Sequence, residues 1–333
     1  MNPATRNRST ASALLMRGFN ALHALSQRRW FRLGIQVAVV SLSLLYLWSN
    51  FQGARNLFSH AEIDLLLLAL AWILTIVAVL LGALGWRFTL FGLKLDAPWK
   101  KTLHIHLASN LAKYVPGFAW QLVGKAFLAR QAGYPALETG LAMTIELVLL
   151  VALGSILAVV CLPASLLESW QAGGLITAYL GAIKVLVAAG IAAITLLLGR
   201  RFFDSPRLRN RVHLSVPHLL AAGGILLAGW IAFGFAFWLM GTAISPISWE
   251  TIPSFIFVLT ASVLIGLAIV FIPGSFGVRE GLMVFFLTGI GMLPALAVVA
   301  AVLSRILVIL GELAGYFVFQ IISRFRSPDE KEI

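Results

Sequence analysis

The sequence predicts an all-α polytopic membrane protein: an inverted-repeat helical bundle with six full spans and two re-entrant broken-helix hairpins. Three observations predict it. Of 333 residues, 60% are hydrophobic and only 11% are charged, too apolar for a soluble domain. Apolar runs long enough to cross a bilayer recur along the chain. Pro-Gly occurs only at Pro116-Gly117 and Pro273-Gly274, each time inside an apolar segment.

The first element is a basic tail, residues 1–32, carrying Arg6, Arg8, Arg17, Arg28, Arg29 and Arg32. Between the arginines, Leu14, Leu15, Phe19, Leu22 and Leu25 recur at helical spacing, the pattern of an amphipathic helix lying in the membrane interface. The apolar run 33–50 follows with no small-residue cleavage site after it. It reads as a retained signal anchor with the amino terminus in the cytoplasm.

Five more runs reach the roughly 20 residues that about 30 Å of hydrocarbon requires: 65–91, 139–162, 175–199, 217–243 and 295–322. The aromatic residues Trp30, Trp48, Trp99, Trp170 and Trp249 fall near span ends, as an interfacial belt does. Residues 323–333 form a second cytoplasmic tail.

Two further apolar segments, 102–130 and 252–290, are interrupted by "YVPGF" and "FIPGSFG". Charge decides their topology. The loop "GRRFFDSPRLRNRVH" holds Arg200, Arg201, Arg207, Arg209 and Arg211, so it belongs inside, and an even number of crossings must precede it. The four full spans before it already satisfy that parity. Splitting 102–130 at Pro116 into two crossings fails, since each half has about 14 residues and reaches only about 21 Å as helix. A hairpin entering and leaving on one side fits. Segment 252–290 becomes its counterpart from the outer side, because "ISPISWE" lacks Lys and Arg while the carboxyl tail "SRFRSPDEKEI" reads as cytoplasmic.

Each Pro-Gly is followed by a glycine eight positions after its proline, Gly124 and Gly281, and each lies between two long spans. The repeat halves are 65–162 and 217–322. The first begins outside and the second inside, which makes the repeat inverted, a transporter architecture whose broken helices meet near the midplane. Irregular backbone at that depth must be buried in protein or line a wet cavity.

Of the 25 Lys and Arg, only Arg55 is external by this assignment, and Arg87, Lys113, Lys125, Lys184, Arg279 and Arg305 are embedded; the remainder face the cytoplasm. The positive-inside pattern accounts for the net charge of +12 without nucleic acid. At roughly 2.5–3.5 kcal/mol per basic residue, six facing lipid would cost on the order of 15–20 kcal/mol, so most face an interior. The embedded acids Glu146, Glu280 and Glu312 offset part of the charge, and the excess favours an anionic guest. Lys113 and Arg279 flank the breaks. Arg305 and Glu312, two turns apart on one face, line a surface without bonding each other. Arg87 and Lys125 are placed to snorkel to the cytoplasmic interface. Helices restarting past each Pro-Gly would present free amides and a positive dipole end, suited to phosphate.

His104 and His106, two apart, point to different sides of a helix, and no Cys or Asp cluster accompanies them, so no metal site is expected. Cys161 stands alone, leaving no disulfide framework. There is no G-x-S-x-G nucleophile motif and no phosphate-binding "GxxxxGK[ST]" loop for ATP. No catalytic residue and no cofactor are expected.

"KYVPGFAWQLVGKAFLARQAG" and "FIPGSFGVREG", with an acid and a base on later spans, resemble the lysylphosphatidylglycerol synthase transmembrane family, a flippase-like membrane domain. The resemblance covers most of residues 30–322. It rests on Lys113, Tyr114, Pro116, Gly117 and Gly124 in the first motif and on Pro273, Gly274, Gly277, Arg279, Glu280 and Gly281 in the second. It implies movement of an anionic or aminoacylated lipid between leaflets, and related chains accompany pathways for polyprenyl-linked sugars. The chain ends at Ile333, so no soluble aminoacyl-transferring domain is expected and the protein should not make the lipid itself.

The candidate head-group site therefore comprises Lys113, Tyr114, Pro116, Gly117, Gly124, Lys125, Pro273, Gly274, Gly277, Arg279, Glu280, Gly281 and Arg305. Glu146 and Glu312 are candidate coupling or ion-pair acids. The expected function is translocation of an anionic membrane lipid or polyprenyl phosphate in the cell (inner or plasma) membrane, with both termini cytoplasmic. Two alternatives stand beside it: a membrane-embedded glycosyl or acyl transferase acting on a lipid phosphate, and a non-catalytic partner of a lipid-modifying enzyme.

Overall fold

The computed structural model describes residues 63–114, 120–169, 180–203, 214–268 and 277–325. Among them all regular structure is helical, with no strand. Helix α1 (Leu65–Gly92) starts where the Asp64 carboxylate accepts the amides of Leu66 and Leu67 at 2.9 and 3.0 Å, satisfying donors that have no intrahelical partner. Helix α2 (Trp99–Leu111) ends in a 3₁₀ turn, Ala112–Tyr114, and α3 (Trp120–Gln131) lies beyond the first break. Helix α4 (Ala136–Val160) opens just after Pro135, whose fixed φ suits a helix start. The short α5 (Ala164–Ser169) and the long α6 (Leu180–Phe203) follow. Helix α7 (Val216–Ile244) leads through a 3₁₀ turn, Trp249–Thr251, into α8 (Ile252–Ala268). The chain finishes with α9 (Val278–Gly289) and α10 (Pro294–Phe325).

Six of these stretches are long and apolar enough to cross a membrane: Leu65–Gly92, Ala136–Val160, Leu180–Arg201, Val216–Ile244, Trp249–Ala268 and Pro294–Ser323. The chain is a multi-pass membrane protein. Five of the six are runs the sequence marks as full spans. The remaining expected span, 33–50, lies outside the described residues, as do the amphipathic tail before it, the arginine loop 204–213, Trp170 and residues 326–333. In its place stands Trp249–Ala268, expected to be only a limb of a broken segment. The 3₁₀ turn joins α8 without a gap, and 20 helical residues rise about 30 Å.

Helices α1 and α7 pack antiparallel along their length. The Asp64 amide donates to the Ala243 carbonyl (3.0 Å) at one end, and Ser215 donates to Gly92 (2.7 Å) at the other. Their approach depends on missing side chains: a Cβ on Gly85 would lie 2.5 Å from Leu226 Cδ2, and one on Gly92 would lie 2.3 Å from Leu219 Cδ2. Membrane helices associate mainly through such close van der Waals contact, since lipid supplies no hydrophobic contrast. Helices α7, α8, α9 and α10 enclose the largest core, with Phe255, Leu259, Met283, Leu287 and Val298 almost fully buried. By contrast, α6 packs mainly on α4 and leaves Val185, Leu186 and Leu196 broadly exposed, as a lipid-facing span does.

The limbs of the first broken segment lie side by side and antiparallel. Gln121 Nε2 donates to Asn110 Oδ1 at 2.6 Å, and Lys125 Nζ lies 3.1 Å from His106 Nδ1. The second pair of limbs, α8 and α9, also pack together, Phe257 meeting Phe286 edge to face at 5.2 Å.

Candidate functional site

Three pieces of chain far apart in sequence converge on one charged cluster: the 3₁₀ turn after α2, the start of α9 and the middle of α10. The turn contributes Lys113 and Tyr114. Lys113 forms an ion pair with Glu312 Oε1, and Tyr114 donates its hydroxyl to Glu312 Oε2 at 2.9 Å. Both carboxylate oxygens of this buried acid are thus engaged from the first broken segment.

Helix α9 begins at Gly277, whose φ of 82° and ψ of −42° favour glycine. The Glu280 carboxylate reaches back to accept the Gly277 amide at 2.7 Å, one half of a capping box, since glycine has no side chain to return the bond. Its other oxygen faces Arg305 Nη1 on α10 at 3.6 Å. One acid therefore fixes the helix start and orients a cation. Arg305 also lies over the Tyr114 ring, 5.7 Å from its centroid, bridging the two broken segments.

Arg279 projects into the same region, its field shared with Glu280, Arg305, Glu312 and Tyr114. Its guanidinium stacks at 6.0 Å over Phe233 of α7, and Nη2 is buried with no hydrogen-bond partner among the described residues. An unmade hydrogen bond on a buried charged group is costly, so this nitrogen is suited to an incoming acceptor. A Cβ on Gly281 would meet nothing within 4 Å among the described residues, but two positions along the helix it lies on a different side of α9 from Arg279.

A second buried cluster sits between α1, α2, α3 and α4. Lys125 Nζ pairs with Glu146 Oε2 and lies 3.1 Å from His106 Nδ1; that same ring nitrogen is 3.3 Å from Glu146 Oε1. The ammonium sits 3.8 Å above the Trp86 ring, a close cation–π contact. This corrects the expectation that Lys125 snorkels outward: at 5% exposed it is locked in the interior, because its acid and aromatic partners lie inward from α3. Arg87 stays near the end of α1, bonding the Ala97 carbonyl at 2.8 Å and stacking on Phe91 and Trp99.

The structure thus joins Lys113, Tyr114, Gly277, Arg279, Glu280, Arg305 and Glu312 in one cluster, and holds Lys125 with Glu146 in the neighbouring one; nothing ties Gly281 to either. Arg305 and Glu312 line it without bonding each other, as their spacing requires. Gly124 lies in neither charged group. A Cβ there would touch only Ala112 Cβ, at 3.6 Å, and it helps form a shallow apolar groove of about 360 Å³ with Ala112, Trp120, Val123 and Phe127. Pro116, Gly117, Pro273 and Gly274 lie outside the described residues. Lys184 bonds the Val160 carbonyl at the end of α4. Sequence reasoning missed His106, whose partners are 19 and 40 positions away (125 − 106 and 146 − 106). Nothing local marks it, although its difference from His104 holds: His104 faces Tyr316 and Gln320 of α10 instead.

The family model for the lysylphosphatidylglycerol synthase TM region matches residues 33–314, most of the chain. A comparison with curated proteins gives no match.

Proposed function

The chain belongs to the lysylphosphatidylglycerol synthase TM-region family, which associates it with membrane lipids, and from that premise we propose that it translocates a phosphate-bearing lipid between leaflets. The observation that carries this reading is Arg279. Its buried, unpartnered Nη2 sits beside the start of α9, in a cluster assembled from both broken segments. The first-turn amides of α9 lack intrahelical acceptors and carry the positive dipole end, so guanidinium and backbone together suit a phosphate. The apolar groove begins at Ala112, next to Lys113, and offers a hydrocarbon chain a place beside the head group.

The packing pattern supports an inverted repeat in which α1, α2, α3 and α4 correspond to α7, α8, α9 and α10. α1 packs on α2 and α4 as α7 packs on α8 and α10; α2 meets α10 as α8 meets α4. The corresponding helices α1 and α7 run in opposite directions. In this reading the antiparallel limbs α2 and α3 enter from the cytoplasmic side, α8 and α9 from the outer side, and the basic loops keep both termini inside. Gating alternates between the two broken segments, with Glu146 and Glu312 as acids whose protonation or pairing changes. The membrane is the cell membrane.

A transferase would need a free general base near the phosphate. Glu280, the most favourable carboxylate for that role, already accepts the Gly277 amide and faces Arg305, which favours transport.

Reconstituted vesicles with fluorescent lipids test the proposal. Wild type should accelerate leaflet exchange of a phosphate-bearing lipid, and the Lys113→Ala, Arg279→Ala double variant should reduce that acceleration at least about tenfold. Equal exchange by both would remove the assigned site.

A further inference from the structure

The described ionisable groups of the site give it a countable charge, and the adjacent breaks, 115–119 and 269–276, contain no ionisable side chain. Lys113, Arg279 and Arg305 are the cations; Glu280 and Glu312 are the anions; Tyr114 is a phenol donating to Glu312. Lys113 is matched by Glu312 and Arg305 by Glu280. One positive charge remains over, at Arg279 with its unpartnered nitrogen.

Resting on the reading of this cluster as a lipid-phosphate site, we propose that it is matched to a phosphate carrying a single negative charge, a phosphodiester, and selects against phosphomonoesters and diphosphates. A charge at membrane depth has little water to solvate it, so the favoured guest brings the cluster to neutrality. A diester does so. At neutral pH a monoester carries about 1.5 to 2 negative charges, and a diphosphate at least as many, leaving an unbalanced anion.

The two carboxylates enforce the limit. Glu312 is held by Lys113 and Tyr114, and Glu280 by the Gly277 amide and Arg305, so neither is placed to swing away from a second negative charge. Like charges brought together in this way discriminate more by repulsion than attraction alone would. Both phosphodiester glycerolipids and polyprenyl phosphosugars meet the requirement.

Purified full-length protein in mild detergent is offered equimolar mixtures, and bound lipid is quantified by native mass spectrometry. The probes are dihexanoyl phosphatidylglycerol, farnesyl phosphoglucose, dihexanoyl phosphatidic acid, farnesyl phosphate and farnesyl diphosphate, with dihexanoyl glycerol as the uncharged reference. At least one diester should bind about tenfold or more tightly than the monoester and diphosphate bearing the same tail. Which diester binds, the glycerolipid or the polyprenyl arm, identifies the source. Glu312→Gln, which adds one net positive charge, should raise diphosphate binding relative to diester about tenfold; if that variant does not accumulate, the wild-type series decides alone.

Equal or tighter wild-type binding of the diphosphate, with Arg279→Ala weakening every anion, would overturn the charge match and leave the phosphate site standing. Anion binding no better than dihexanoyl glycerol, or untouched by Arg279→Ala, would overturn both.

Discussion

Lys113 and Glu312, 199 residues apart in the chain, form a direct ion pair that ties the turn after α2 to the middle of α10. The pair is unequal: 25% of the lysine side chain is exposed, against 7% of the glutamate. Removing Lys113 strands a buried carboxylate with only the Tyr114 hydroxyl, whereas removing Glu312 frees a lysine that can turn outward. Lys113→Ala should therefore destabilise by about 3–5 kcal/mol and Glu312→Ala by clearly less. Thermal unfolding of the two variants in detergent checks the order; the reverse order would contradict the geometry.

The Lys125–Glu146 pair predicts a different pattern. Both partners are buried, so Lys125→Met and Glu146→Leu alone should each destabilise by about 3–5 kcal/mol. The double variant should recover most of that loss, because a buried ion pair replaced by apolar side chains is often nearly neutral. His106→Ala should cost about 1–3 kcal/mol, the range for leaving hydrogen-bonding groups unsatisfied. A double-mutant cycle by thermal denaturation measures the coupling, and additivity of the two single losses would refute direct pairing.

Gly277 is the third test. A side chain at φ 82° and ψ −42° is strained by on the order of 1–3 kcal/mol. Gly277→Ala should shift the start of α9, weaken the Glu280 cap and lower lipid exchange while the protein still inserts. Exchange at wild-type rate in a stable Gly277→Ala protein would detach this helix start from function.

Close packing away from the site gives the fourth. At Gly234 of α7 an added Cβ would lie 2.6 Å from Ile256 Cγ1 and 3.0 Å from its Cα, so backbone as well as side chain must move. Gly234→Ala should destabilise by about 1–3 kcal/mol. The same change at Gly140, where nothing lies within 4 Å of the added atom, should leave the melting temperature within the experimental spread. Similar losses at both positions would show that the contact with Ile256 does not set the cost, since helix propensity favours alanine over glycine at either place.

Spans were legible where hydropathy acts alone. The runs 65–91, 139–162, 175–199, 217–243 and 295–322 each lie within a few residues of an observed helix, because about 20 apolar residues can satisfy their backbone in lipid only as helix. In the sequence Trp249–Ala268 reads as one limb of a segment bounded by its Pro-Gly, although the helix itself is long and apolar enough to cross a membrane. That charged groups must face an interior was legible in the sequence; how they divide into two clusters, with Lys125 in the second, was not. Embedded charge at Lys113, Arg279, Glu280, Arg305 and Glu312 marks an interior by its solvation cost, yet nothing in their spacing says which acid meets which base.

The sequence by itself determined that this chain is a helical membrane protein, that its charged residues are too costly to face lipid, and that Pro-Gly interrupts its apolar length at two points. These are local consequences of transfer free energy and backbone chemistry. Tertiary structure alone decided that Lys125 turns inward to Glu146 and His106, that Lys113 engages an acid on the last span, and that Arg279 keeps a nitrogen with no partner among the described residues. Ion pairing acts over a few ångströms between side chains tens to hundreds of positions apart, and only the packing of α2, α3, α4, α9 and α10 brings them within that distance.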